Sequence, residues 1–214
     1  MQNNSIAIIQ EVCGGGGGRG ILSDSDARTF IEDICPNGRG WFTGHVAIVA
    51  GPTLNGINFD VSCSDDGRLL RADYTIDGIK RTVGCLYAPA QPTERREFMS
   101  SLQDWLPAGS ERRSLVGGDF NCVQMPALDI VNGSSTCRNW GHAEWAQSAD
   151  LLGHVELLHT WRSGAAGADR TRAVTELTWA SSPYATGIVY KRLDWFTADV
   201  DGIADVSNLR TSYV

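Results

Sequence analysis

No apolar stretch long enough to cross a bilayer occurs in these 214 residues, and no signal-peptide pattern opens them, so the reading is of an intracellular protein not built for a membrane. Paired cysteines are missing too. Cys13, Cys35, Cys63, Cys85, Cys122 and Cys137 stand singly with no Cys-x-x-Cys, which argues against a disulfide scaffold and for reduced core or loop thiols. His154 and His159 lack the i, i+4 spacing of a helical zinc site, and Cys137 with His142 has no second pair, so zinc is not indicated. There is no excess of positive charge. With 18 Lys and Arg against 25 Asp and Glu the net charge is -7, which excludes a broad basic surface holding duplex DNA by counterion release alone. Arg95, Arg96, Arg112, Arg113, Arg170 and Arg172 therefore read mostly as solvated surface, with some available as rim contacts to phosphate. A G-x-G-x-x-G match falls at Gly15, Gly17 and Gly20. It has no acidic ribose partner and no Gly-Lys-Ser/Thr after it, so it reads as a flexible loop and not a nucleotide cradle.

What is present is ordinary for one globular domain. A content of 42% hydrophobic and 20% charged residues allows a sizeable core, and the reading is a single domain over 1–214. Ile6 to Ile9 is a short continuous apolar run, expected as a buried strand, that delivers Gln10-Glu11 before the glycine-rich loop. Asp26 to Ile34 reads as a surface helix with Ala27, Phe30, Ile31 and Ile34 on one face. Thr93 is the expected N-cap of a helix over Glu94 to Leu106, with Phe98, Leu102, Trp105 and Leu106 at helical spacing. Another helix around Gly141 to Leu151 places Trp145 and Ala149 four apart, and a short run over Val155 to Leu158 follows. Strands in both halves with helices between them suggest two packed sheets flanked by helices.

The chemistry gathers at strand ends. Leu115-Val116-Gly117-Gly118-Asp119-Phe120-Asn121 is an apolar strand that presents an aspartate and an asparagine two residues apart. Strand alternation would put Asp119 and Asn121 on one face and Phe120 in the packing. Glu11 after the first strand suits a hard cation. Val83 to Ala90 ends with Tyr87 and Pro89, and Tyr190 to Phe196 alternates so that Arg192 and Asp194 share a face.

Gln10-Glu11, Tyr87-Ala88-Pro89, Gly118-Asp119-Phe120-Asn121, Thr178-Trp179 and Arg192-Leu193-Asp194 follow one another in the order of the endonuclease/exonuclease/phosphatase superfamily, which the chain resembles along nearly its whole length. Gly44 to Val49 matches the second strand pair of that superfamily. Asp66 to Leu70 matches its hairpin, and Glu94 to Phe98 matches the opening of its helix after Tyr-x-Pro. The wording Gly117-Gly118-Asp119-Phe120-Asn121-Cys122-Val123 is closest to the apurinic-type endonuclease domains of LINE-type (non-LTR) retrotransposons. The resemblance implies a four-layered α/β sandwich of two packed mixed sheets flanked by helices. It implies in-line attack of water on a phosphodiester of DNA, with Mg²⁺, or Mn²⁺ on the same oxygen ligands, stabilising the phosphate charge. Glu11 would hold the metal, Asp119 would orient or deprotonate the water, and Asn121 would donate hydrogen bonds to the phosphate. Tyr87 would direct its hydroxyl to the phosphate or leaving group, and Asp194 would orient a catalytic histidine.

Two departures qualify that picture. Only Met1 to Ser5 precede the Gln-Glu strand, leaving no room for a first strand with a metal-site asparagine. His45, His142, His154 and His159 all precede Asp194, so the Ser-Asp-His segment of the superfamily is not matched. The expectation is a fragment of a larger reading frame, incomplete at both termini and weakly active or inactive as written. Its partner would be a reverse-transcriptase domain and its place the nucleus. The alternatives are another phosphoesterase of the superfamily (a phosphoinositide phosphatase, a sphingomyelinase or a repair nuclease) and a non-catalytic remnant.

Overall fold

The computed structural model of the chain describes residues 6–10, 24–106, 112–124, 129–133, 141–156, 179–180, 190–191, 193–199 and 201. It divides into two compact units, the first from Met1–Tyr87 with Gly109–Gly118, the second from Ala88–Ala108 with Asp119–Val214.

The first unit is built of sheets. β1 (Ile6–Gln10), β2 (Arg39–Phe42) and β3 (Val46–Ala50) form an antiparallel sheet in the order β1-β3-β2. β4 (Phe59–Cys63), β5 (Leu69–Ile76), β6 (Ile79–Tyr87) and β7 (Arg112–Asp119) follow one another in the second sheet in that order. β5 runs antiparallel to both β4 and β6, with Leu70 opposite Cys63 on one side and Cys85 on the other. The turn at 64–68 is the hairpin expected from Asp66 to Leu70. The Asp66 carboxylate accepts from the Ser64 hydroxyl at 2.7 Å and from the Arg68 N–H at 3.1 Å.

Period-two alternation lets the two sheets share a core. Val46 and Ile48 from β3 meet Leu70 and Ala72 from β5 and Val83 and Cys85 from β6, with Ile6 and Ile8 of β1 packed alongside. Every residue of β3 is buried, as a continuous apolar run between two covered faces requires. β1 differs from its expectation: all five of its residues are half-buried, because it stands at one end of the strand order and pairs only with β3 among the described strands. α1 (Asp24–Ile34) packs on β2, where Phe30 meets Phe42 edge-on at 5.8 Å. Helix, sheet and sheet are thus three of the layers the sequence implies.

The second unit is built of helices on short strands. α2 (Pro92–Trp105) packs against α3 (His142–Leu152), and the buried Ser148 hydroxyl of α3 donates to the Met99 carbonyl of α2 at 2.8 Å. β9 (His154–Glu156) pairs antiparallel with β12 (Asp194–Asp199). β8 (Ile130–Val131), β10 (Trp179–Ala180) and β11 (Tyr190–Lys191) make a small antiparallel sheet in the order β10-β11-β8. Phe120 is the centre of an aromatic core, its ring 4.0 Å from that of Trp195 and 5.1 Å from that of Trp145.

α2 corrects the sequence in two places. Its N-cap is Gln91, not Thr93, because Pro92 needs no N–H partner and takes the first helical position. Its buried stripe is Arg95, Met99 and Leu102, while Phe98 and Trp105 are only half-buried. α3 begins after Gly141 and ends at Gly153, both in the left-handed region, with Trp145 and Ala149 buried as expected. The strand expected over Tyr190 to Phe196 is not continuous: β11 and β12 belong to different sheets, with Leu193 between them outside regular structure.

Candidate active site

In the second unit β7 gives way to a turn at Asp119. Strand alternation stops there, so Asp119 and Asn121 do not share a strand face as the sequence suggests. Asn121 adopts φ 49°, a left-handed conformation that asparagine tolerates better than most residues. The Asp119 carboxylate bends back to accept the Asn121 N–H at 2.6 Å. The Asn121 side-chain amide donates to the Ala88 carbonyl at 2.7 Å, and the Ala88 N–H donates to the Asp119 carbonyl at 2.8 Å. Asp119 and Asn121 are therefore fixed against the segment that follows Tyr87 in sequence. Phe120 points inward as expected and is fully buried.

Asp194 is brought to the same turn. The Phe120 N–H donates to the carbonyl of Leu193 at 3.0 Å, and Asp194, half-buried, follows directly. Asn121 and Asp194, 73 positions apart in sequence, thus each follow a residue of this backbone bond, beside the Phe120–Trp195 stack.

A side chain read mostly as surface is buried in this unit. Arg95 is buried, and its guanidinium donates to the carbonyls of Pro89 at 3.3 Å and Ala90 at 2.9 Å. Burial pulls its pKa down, and Cys122 and Asp119 act in the opposite sense. Burial pushes the Cys122 thiol up to about 12, so it is protonated and inert at neutral pH. The signal for Arg95 was its spacing from Met99, Leu102 and Leu106, all buried. Arg96, by contrast, does lie on the surface, paired with Glu144 at 2.6 Å. A shallow groove of about 600 Å³ lined by Arg96, Glu97, Asp104 and Glu144, among others, contains none of the expected site residues.

In the first unit Tyr87 ends β6, half-buried. Its N–H donates to the Arg68 carbonyl at 2.9 Å, and its carbonyl accepts from the Arg68 guanidinium at 3.3 Å. That guanidinium also lies 5.4 Å from the centre of the Tyr87 ring, and His45 stacks on the ring at 5.8 Å. Burial, then the charge of Arg68, lowers the His45 pKa, with Asp66 partly opposing. The loop carrying His45 is held by Thr43, whose hydroxyl accepts the His45 N–H at 3.1 Å and donates to the Gly67 carbonyl at 2.5 Å. His45 and Arg68 were not singled out as neighbours of Tyr87, since nothing in local periodicity joins three loops.

Glu11, Arg192, Arg170, Arg172, His159, Cys13, Cys137, Thr178 and the Gly14 to Gly18 run lie outside the described residues. Among the described residues no three His, Cys, Asp or Glu side chains converge as a metal cage. Magnesium does not need one: one or two carboxylates with waters and substrate phosphate suffice, and Asp119 and Asp194 are oxygen donors of that kind. Cys35, Cys63, Cys85 and Cys122 are not joined in disulfides, and of these four only Cys63 is exposed.

No protein-family model matches the chain, and no curated protein sequence matches it. Solved structures do. An AP endonuclease from Archaeoglobus fulgidus superposes with a TM-score of 0.64 at 17% identity, over 93% of this chain and 77% of that one. TDP2 from D. rerio, complexed with a single-strand DNA product, gives 0.54 at 14% identity, over 91% and 70%. The endonuclease domain of TRAS1, a telomere-specific non-LTR retrotransposon, gives 0.49 at 11% identity, over 96% and 72%. The first two establish the fold: the chain shares the α/β architecture of an AP endonuclease and of TDP2. Among the described residues no helix is long and apolar enough to cross a membrane.

Proposed function

We propose that this chain, with 1–214 taken as one domain, is a metal-dependent phosphodiester hydrolase, the DNA endonuclease domain of a retrotransposon-like protein. The observation that carries the reading is the Asp119–Asn121 turn, bonded to Leu193 beside Asp194 in a chain whose fold is that of an AP endonuclease and of TDP2. Asp119 orients the attacking water and accepts its proton. Asn121, whose backbone is held by Asp119, keeps amide hydrogen-bonding capacity for a phosphate oxygen. Tyr87 offers its hydroxyl to the phosphate or the leaving oxygen, from a ring held by His45 and Arg68. Asp194 orients the group that protonates the leaving oxygen.

Glu11 would hold Mg²⁺, which when bound would supply positive charge against the phosphate; Mn²⁺ suits the same oxygen ligands. Substrate, by this reading, is the DNA backbone, the companion is a reverse-transcriptase domain of the same polyprotein, and the place of action is the nucleus. The retroelement assignment rests on the Gly-Gly-Asp-Phe-Asn-Cys-Val wording of residues 117–123.

The test is nicking of supercoiled plasmid by the 214-residue chain in magnesium, with EDTA and Asp119→Asn as controls. Slow magnesium-dependent nicking, as suits a chain read as weakly active, is expected, and it should be lost in the variant. A folded protein that does not nick, or nicking indifferent to Asp119→Asn, overturns the reading. The first outcome would leave a non-catalytic remnant, and hydrolysis of a phosphoinositide or sphingomyelin instead would give the site to another phosphoesterase.

A further inference from the structure

Resting on the role read for Tyr87, we infer that His45 is a positioning residue for that side chain: a loop tied down by Thr43 holds the imidazole against the Tyr87 ring and so fixes where the hydroxyl stands. All the residues concerned belong to the first unit.

The hydroxyl of a tyrosine sits at the far end of a rigid ring, so a small swing about the bond to Cβ displaces it by as much as a hydrogen bond tolerates. Tyr87 is the last residue of β6 and half-buried. Its backbone is bonded to Arg68 in both directions, N–H to carbonyl and carbonyl to guanidinium, which sets the main chain without setting that swing. The ring needs contacts of its own. His45 supplies one, its ring centre 5.8 Å from that of Tyr87 and the two planes inclined by 29°, an offset stack.

The imidazole is held there from its backbone. The buried Thr43 hydroxyl accepts the N–H groups of His45 and Val46 and donates to the Gly67 carbonyl. One hydroxyl thus closes the turn between β2 and β3 and ties it to the hairpin whose next residue, Arg68, lies against the same ring. Gly67, at φ 70°, lets the hairpin come this close: a Cβ there would stand 3.3 Å from Thr43 Cβ. A histidine that only faced solvent would need no such anchoring.

No other bond claims the imidazole. Among the described residues its ring nitrogens make no hydrogen bond and no ion pair, so the stack on Tyr87 is not a by-product of another contact. Burial, then the charge of Arg68, keeps the imidazole neutral at neutral pH, and a neutral ring shares Tyr87 with a guanidinium without repulsion.

The experiment is a double-mutant cycle on plasmid nicking, with His45→Ala, Tyr87→Phe and the two combined, and His45→Phe as the variant that keeps a flat ring. Alongside it, NMR line shapes of the metal-free wild type, His45→Ala and His45→Phe report how fast the Tyr87 ring flips. His45→Ala should lower nicking kcat about tenfold with KM little changed, and should cost nothing further once Tyr87→Phe has removed the hydroxyl. Its Tyr87 ring should flip faster than in the wild type, while His45→Phe restores both the slow flip and kcat. A residue that only packs would lower the melting temperature of His45→Ala and cost the same factor with or without the Tyr87 hydroxyl. Losses that add, an unchanged kcat, a Tyr87 ring that flips at the wild-type rate in His45→Ala, or a His45→Phe no better than His45→Ala overturns the role. Ring flipping needs no turnover, so a wild type that does not nick sinks the catalytic reading, and the flip rates then decide by themselves whether His45 holds the Tyr87 ring.

Discussion

Among the described residues, the two units bury different kinds of polar group. In the first, the buried polar side chains are the hydroxyls of Thr43, Thr82 and Ser114, small neutral groups between two apolar sheets. In the second they include Arg95, Asp129 and His154, all ionisable. Thr82 satisfies its hydroxyl on Asp73 at 2.5 Å, whereas His154 must stay neutral to remain buried, with its ring Nδ1 2.8 Å from the Thr197 hydroxyl. The buried polar groups of the first unit carry no ionisable side chain among the described residues. The second is linked to protonation through the buried His154.

The comparison can be broken most sharply at Gly118. Its φ of 146° disfavours any side chain, and a Cβ there would run into the Leu86 carbonyl oxygen. Gly118→Ala should cost about 4 kcal/mol or more, by strain on a backbone that cannot retreat. Circular dichroism and urea unfolding at pH 7 would check this. A variant as stable as the wild type would mean that the β6 and β7 backbones are not in close contact.

His154 gives the next largest effect, and it depends on pH. Burial lowers its pKa to about 4, against 6.5 for the free side chain, with Asp199 partly opposing. The folded state thus binds this proton less readily than the unfolded chain. Its contribution is fully present above pH 6.5 and is lost as pH falls toward 4, a change of about 3 kcal/mol. His154→Gln should be less stable at pH 7 yet lose less of its stability on going to pH 4.5 than the wild type does. Equal acid sensitivity of variant and wild type in urea unfolding would place the titrating group elsewhere.

The smallest effect separates surface from core within the second unit. Arg96 and Glu144 make a close ion pair, but the Arg96 side chain is 50% exposed. Arg96→Ala should change stability by less than about 0.5 kcal/mol, and that difference should vanish in high salt. Its neighbour Arg95, one residue earlier on the same helix, should cost several times more when truncated.

That pair of adjacent arginines also marks how far the sequence can be read. The helix was legible from Leu102 and Leu106, and Pro92 moved its N-cap by two residues, from Thr93 to Gln91. Which arginine was buried was not legible, because it depends on what faces the helix: Gly141, Cys122 and the carbonyls of Pro89 and Ala90 come from distant parts of the chain. The hairpin at Asp66 to Leu70 and the strand ending at Asp119 were plain from turn chemistry and an apolar run. The Asn121 turn was hidden, since a strand pattern says nothing about where a carboxylate finds a backbone N–H to close on.

The sequence by itself determined the elements and the residues able to do chemistry. Apolar period, proline and asparagine act on the neighbouring few residues and need no partner from afar. Only the tertiary structure decided which polar groups would be desolvated and against which charge. His45 and Arg68 meet on the Tyr87 ring, and Arg95 is buried against the carbonyls of Pro89 and Ala90, because burial and electrostatics are properties of facing surfaces, and those surfaces exist only once the chain has folded.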